Sequence, residues 1–428
     1  MRILLAYRSY LPHLGGVWTY IEQLRKGLEH KGHNVDVLAW HPSMRKYYLM
    51  RSEMSFETDQ VKPLITNKVN AYYEQHFPQY DTWIRDLEIN RYLFEAAAVH
   101  FNLSDYDVIH AQCVISARAL SRVKPPETPL VTTIHSSLTN ELFMRQGNNS
   151  KQLHKCFISS LEHLGPVSSD LCILPSHFLK NFTKTFDVPE NKLKVVPYGI
   201  DIGNFLQRMN DHSNITATPN KMIIACPARL SFEKGHSDLL RALATLKDKN
   251  RNWVCWVIGD GEYKRELLRL TRKMSLQNHV LFLGKRDDVP ALMKKADVIV
   301  LPSLLENLPF VVMEGQMSGT AVVASDAGGI PEMVKHGETG LLFATGSAQK
   351  LSENLLKVLE NEALRKELAI KGKEWAIKQW PINQMINSTL IVYQQAKQNL
   401  LQNPVSTSYD IPDLKVVNIL EKCHSLSN

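Results

Sequence analysis

Residues 306–332 read ENLPFVVMEGQMSGTAVVASDAGGIPE. Two carboxylates, Glu306 and Glu314, are followed by a short apolar strand and a glycine-rich loop, and the apolar run Val298 to Leu301 precedes them. If Glu306 closes the loop after that run, Asn307-Leu308-Pro309 opens a helix through Phe310 to Ser318. The first backbone N–H groups of that helix would then point toward Glu306. Such a helix start favours anions and polar oxygens. Glu314 falls about two turns further along, too far from the helix start to reach the same atom. The pair therefore reads as one carboxylate beside a reacting centre and another gripping a different part of a long ligand.

Outward from this stretch, short apolar runs alternate with amphipathic helices along almost the whole chain, the pattern of parallel βαβ units. In the first half strands are expected at Ile3 to Tyr7, Val35 to Ala39, Val108 to His110, Leu130 to Ile134, Leu171 to Leu174 and Lys194 to Val196. Val17, Tyr20, Ile21, Leu24 and Leu28 form a helical stripe after the Gly15-Gly16 pair. The polar break Asn210 to Asn220 reads as a linker. The pattern then restarts at Met222 to Cys226, Trp253 to Ile258, Val280 to Leu283, Val298 to Leu301 and Ala321 to Ala324.

A chain of 428 residues is long enough for two cores. Its net charge of +7 is spread evenly, with 22 Lys+Arg against 19 Asp+Glu in residues 1–200 and 28 against 24 in the rest. That distribution speaks against a nucleic-acid binder, which should carry a basic stripe. The six cysteines (Cys113, Cys156, Cys172, Cys226, Cys255, Cys423) form no CxxC or metal-like spacing and read as reduced thiols of a cytosolic protein. No run of about 18 apolar residues offers a membrane span.

Several loops carry chemistry. Arg229 and Lys234 in ARLSFEKGH follow a strand, and a planar fork with a point charge five residues on can neutralise a diphosphate from two sides. Gly15 and Gly16 let backbone approach a ligand at a helix start. His135 ends a strand in TTIHSS, where it can hydrogen-bond a ligand or be satisfied by neighbouring backbone. Asp105-Tyr106-Asp107 has a D-x-D form but precedes its strand, so it reads as turn and strand-start chemistry. Residues Trp40 to Asn102, where an acceptor would bind, hold many aromatics whose faces can stack on sugars, among them Tyr47, Tyr48, Tyr72, Tyr73, Phe77, Tyr80, Trp83, Tyr92 and Phe94. The basic-aromatic run Met44 to Arg51 within them reads as an amphipathic helix packed on the domain or as a segment lying on an anionic membrane.

The stretch from Glu306, together with R-x-x-x-E-K-G at Arg229 to Gly235, closely resembles the signature of the family-four retaining glycosyltransferases (glycosyl transferases group 1). The resemblance runs from the glycine loop to about residue 385 and departs in small ways, such as Gly315 and Ala321 where alanine and proline are frequent. It implies an α/β chain of GT-B fold, with two Rossmann-like doubly wound domains facing a central cleft. The expected division is an acceptor-binding domain over 1–205, a linker over 206–220 and a nucleotide-sugar domain over 221–380. A terminal helix over 381–402 would cross back to the first domain, and 403–428 form a tail of no assigned role.

The resemblance further implies a hexose moved, with retention and without metal or other cofactor, from a nucleotide diphosphate sugar to an unidentified glycan, lipid-linked or small-molecule acceptor. A UDP-sugar is the favoured donor. Glu306 would face the transferring sugar, which would sit against the loop Asn307, Leu308 and Pro309, with backbone N–H groups of that loop, the prolyl nitrogen excepted, donating to it. Glu314 would bind the ribose, Arg229 and Lys234 the diphosphate, Arg286 and the Gly259 turn the base region, and Gly15, Gly16 and His135 the sugar side. Retention on one face of the sugar and a covalent step through Glu306 both stay open. A nucleotide-sugar epimerase and a non-catalytic surface protein are the alternatives, and the expected location is cytoplasmic or peripheral at the membrane's inner face.

Overall fold

Strands made of Val, Ile, Leu and Cys without alternation are buried on both faces, which is how parallel sheets covered by helices read. In the computed structural model, residues 1–13, 15–52, 54–76, 81–146, 151–216, 219–250 and 252–402 are described. Leu14, Phe77, Tyr80 and the tail 403–428 with Cys423 lie outside them. The chain divides into two compact units, one of residues 1–174, 180–196 and 386 onward, the other of 175–179 and 197–385.

The first unit holds β1 (Arg2–Tyr10), β2 (Asn34–Trp40), β3 (Lys46–Leu49), β4 (Ser55–Glu57), β5 (Val108–Ala111), β6 (Leu130–Thr133), β7 (Leu171–Leu174) and β8 (Leu193–Val195). They form one sheet in the order β4-β3-β2-β1-β5-β6-β7-β8. All pairs are parallel except β2 with β3 and β3 with β4. Strand order reverses between β1 and β5, so the loops after these two strands share the edge where open α/β sheets bind ligands.

The antiparallel corner corrects the reading of Met44 to Arg51. This run is a hairpin strand, with Leu49 opposite Leu38 and Tyr47 opposite Trp40. Tyr47 and Leu49 point into the core while Lys46 and Tyr48 do not, a period of two that neither a helix nor a membrane-facing stripe would produce. Tyr47 packs against Trp40 and Phe94, and Tyr92 and Phe94 are themselves core residues. Much of the aromatic stretch is therefore the interior of the unit rather than a sugar-stacking face. Asp105 and Asp107 hold the start of β1, Asp107 accepting from the Arg2 N–H at 2.7 Å and Asp105 pairing with the Arg2 guanidinium at 3.2 Å.

The second unit holds β9 (Met222–Pro227), β10 (Trp253–Ile258), β11 (Val280–Gly284), β12 (Val298–Leu301), β13 (Ala321–Ser325) and β14 (Leu341–Phe343). Its all-parallel order is β11-β10-β9-β12-β13-β14. The reversal lies between β9 and β12. Residues from Pro197 onward belong to this unit, earlier than the expected boundary at 205, because Asp201 caps the helix Ile202–Arg208 and Ile200 bridges to Pro381 inside it. Trp380 ends the preceding helix, and the last helix, Ile382–Gln402, enters the first unit at Ile386. Within that unit Tyr393 Oη lies 2.7 Å from His110 Nδ1. Among the described residues no helix is long and apolar enough to cross a membrane.

Candidate active site

The reversal between β9 and β12 places two loops side by side, Ala228 to Gly235 after β9 and Pro302 to Pro309 after β12. Backbone joins them: the Leu304 N–H donates to Glu233 O at 2.7 Å. Glycine lets them meet. A Cβ on Gly235 would stand 1.9 Å from Pro302 O, and its φ of +66° lies in the left-handed region. Gly235→Ala is expected to cost about 2–5 kcal/mol, summing the left-handed penalty and overpacking against backbone. Gly337→Ala, at φ +79° with nothing within 4 Å, should pay only the first part. Urea midpoints that drop equally in the two variants would show that the loop contact contributes nothing.

The juxtaposition aligns charges. Lys234 Nζ lies 2.6 Å from Glu306 Oε1, with the side chains 23% and 10% exposed, and Ser303 Oγ donates to the same oxygen at 2.8 Å. The Glu306 carboxylate is thus turned toward Lys234 and Ser303, and among the described residues no N–H of the helix Phe310–Met317 donates to it. Arg229 pairs with Glu233 at 2.6 Å, and Ser231 also donates to that carboxylate. Both cations expected at a diphosphate are therefore held by carboxylates of their own unit.

Behind Glu306, the loop Ala327 to Gly329 presses against its backbone. Cβ atoms on Gly328 and Gly329 would meet Glu306 O at 1.8 Å and Asn307 O at 1.9 Å. Leu308 is buried, and Pro309 caps a helix with no side-chain acceptor at its start. Glu332, the last residue of the stretch, accepts from the His177 and Phe178 N–H groups at 2.9 and 2.7 Å.

Glu314 lies within the helix Phe310–Met317. Burial raises its pKa to about 7, and the charge of Arg208 offsets this only partly. Gly259 sits at the end of β10, where a Cβ would meet Ala228 O at 2.1 Å. Arg286 forks onto Asp288 at 2.7 and 2.6 Å and reaches Asn214 at 2.8 Å, holding Asp288 at about 2. These residues, with His212 and Lys285, line an open hollow of about 430 Å³. Asn214 belongs to the segment read as linker, and Ser303 was not singled out in the sequence; a serine immediately after the Pro at the end of β12 was the available signal.

In the first unit, Gly15 precedes the helix Gly16–His30, whose start has no side-chain cap. His135 follows β6 and is buried, its Nε2 lying 3.1 Å from Gln112 Oε1. Burial pushes its pKa down to about 3, so the ring is neutral.

A model of the glycosyl transferases group 1 family matches residues 207–375, and one of glycosyltransferase family 4 matches residues 14–204. Both models describe glycosyltransferases, and the chain is a glycosyltransferase. This glycosyltransferase is 25% identical over 411 residues to an uncharacterized glycosyltransferase of Methanocaldococcus jannaschii, covering 93% of this chain and 99% of the relative. It is 24% identical over 394 residues to the N-acetyl-alpha-D-glucosaminyl L-malate synthase of Bacillus anthracis, covering 89% and 94%. Among solved structures, the Anabaena protein HepE in complex with UDP and glucose superposes with a TM-score of 0.66 at 20% identity, covering 92% of this chain and 99% of that one. The neighbours are GT-B glycosyltransferases, and the two Rossmann-like α/β sheets agree with that fold.

Proposed function

We propose that this glycosyltransferase moves a hexose from a nucleotide diphosphate sugar to its acceptor with retention of configuration, using protein cations on the leaving diphosphate. The observation that carries this reading is the Lys234–Glu306 pair, which sets a cation for the leaving group beside a carboxylate for the sugar. Arg229 and Lys234 would exchange Glu233 and Glu306 for the phosphate oxygens, an electrostatic stabilisation of charge that grows as the glycosidic bond breaks. Glu314 would accept from the ribose hydroxyls, and the Arg286 hollow with the Gly259 turn would take the base. Asn307, Leu308 and Pro309 would meet the sugar, and Gly15, Gly16 and His135 of the first unit would act on the sugar side. A UDP-sugar is the first donor to try, supported by the UDP and glucose bound to the Anabaena relative.

The leaving phosphate can take the acceptor proton on one face of the sugar, or Glu306 can attack the anomeric carbon as its bond to the diphosphate breaks, forming a glycosyl ester that the acceptor then displaces. The test is a panel of UDP-, GDP- and ADP-sugars with chelator present, scoring nucleoside diphosphate release by wild type and Glu306→Gln. Release from one donor, lost in the variant, is the expected result. Binding of a nucleoside diphosphate without release, whatever acceptors are offered, would overturn the catalytic reading.

A further inference from the structure

We propose that Gln112 is a positioning residue for the reaction, holding His135 as the neutral tautomer with its proton on Nε2. The inference rests on the reading above, in which His135 meets the transferring sugar. Gln112 is the first residue after β5, at the strand reversal of the first sheet, and its side chain is fully buried. Its N–H donates to Ala6 O at 2.9 Å, which anchors the residue between β1 and β5. The amide then makes two bonds, Nε2 donating to His110 O at 3.2 Å and Oε1 lying 3.1 Å from His135 Nε2.

The first bond dictates the second. A backbone carbonyl only accepts, so the NH2 end of Gln112 must face His110 O and the oxygen must face His135. That oxygen only accepts in turn, so His135 must carry its proton on Nε2, and at Nδ1 it can only accept. The ring is fixed edge-on to Tyr20, with centroids 4.9 Å apart. Burial keeps it uncharged down to about pH 3. A histidine free to change tautomer would offer the sugar a donor in one state and an acceptor in the other; this one is limited to a single role.

Nitrogen-15 spectra of the full-length protein labelled on histidine read the tautomer directly, with His135 assigned through His135→Gln. Wild type should show a protonated Nε2 and a bare Nδ1. Gln112→Leu removes the acceptor, so the Nδ1–H form should appear and kcat fall about tenfold to a hundredfold, with the donor KM unchanged. Gln112→Glu keeps an acceptor and the tautomer. Its carboxylate raises the His135 pKa toward the ordinary range, so activity should acquire a new fall on the acid side. Among the described groups Tyr20 and His110 also face this ring, and His110 is itself held neutral by burial, at about 3.

Tyr393→Phe is the control for general loosening. It removes the hydroxyl 2.7 Å from His110 Nδ1 and should lower the melting temperature without changing the His135 tautomer. An Nδ1–H tautomer in wild type, an unchanged tautomer in Gln112→Leu, or an equal kcat loss in Tyr393→Phe would each overturn the proposal. Full activity in His135→Ala would overturn the sugar-side role itself, a failure the spectra distinguish because they do not depend on turnover.

Discussion

In Glu314→Gln, the folded protein is expected to gain stability above pH 7 while its affinity for the nucleoside diphosphate falls about tenfold to a hundredfold. The stability side follows from linkage. Burial raises the Glu314 pKa from 4.5 to about 7, so the folded state holds this proton more tightly than the unfolded chain does. The stability contributed by the protonated carboxyl is complete below about pH 4.5 and is lost as the pH rises to about 7. At about 1.36 kcal/mol per pH unit, the cost of ionising it in place is at most on the order of 3 kcal/mol. Glutamine has nearly the same shape and no charge, so the variant should escape that cost at pH 8 and show no gain at pH 4.

The binding side has the opposite sign. Ribose hydroxyls are donors, and a carboxylate accepts from both, whereas an amide offers one oxygen. Wild-type affinity for UDP should therefore rise between pH 6 and 8, with proton release on binding visible by calorimetry in buffers of different ionisation enthalpy. That pH dependence should vanish in the variant. Unchanged UDP affinity in a stabilised Glu314→Gln would remove Glu314 from the nucleotide site and leave the residue as a plain buried acid.

The elements most legible in the sequence were those whose local pattern and tertiary fate agree. Trp253–Ile258 and Val298–Leu301 are apolar throughout because both their faces are covered, and their boundaries could be read directly. The hairpin strand Lys46–Leu49 was not legible. Four residues of alternation embedded in a basic-aromatic run fit a helix equally well, and only pairing with β2 selects the strand. At the site, motif residues could be located but their partners could not. Lys234 and Glu306 are 72 residues apart and meet because strand order reverses between β9 and β12, and topology of that kind is not a local property. The same holds for Asn214, which looked like linker and reaches Arg286. Gln112 has no motif at all, and its role emerges only from two hydrogen bonds, one back to His110 on the strand it follows and one to His135 beyond the end of the adjacent β6.

The Lys234–Glu306 pair yields the second large expected effect, because its two halves should fail in opposite ways. Each neutralises the other at 2.6 Å, so a diphosphate must draw Lys234 away from Glu306 in order to use it. Glu306→Gln removes the competitor and keeps a group that Ser303 can still reach. UDP should bind as tightly as before or tighter, while turnover falls by about a thousandfold through loss of the carboxylate facing the sugar. Lys234→Ala removes the cation instead. UDP binding should weaken, and kcat should fall by about a hundredfold to a thousandfold, the range seen when one donor to a developing negative charge is deleted. Among the described residues the variant leaves the Glu306 carboxylate with Ser303 as its remaining side-chain partner, so some loss of stability should accompany the kinetic defect. Calorimetric UDP affinities and single-turnover rates for both variants and the double variant separate these terms. Weaker UDP binding in Glu306→Gln would mean that the carboxylate organises the nucleotide site rather than competing with it. Equal kinetic losses in both single variants and in the double variant, with UDP affinity unchanged in all three, would assign the effect to the intact ion pair, and Lys234 would then have no separate role on the leaving diphosphate.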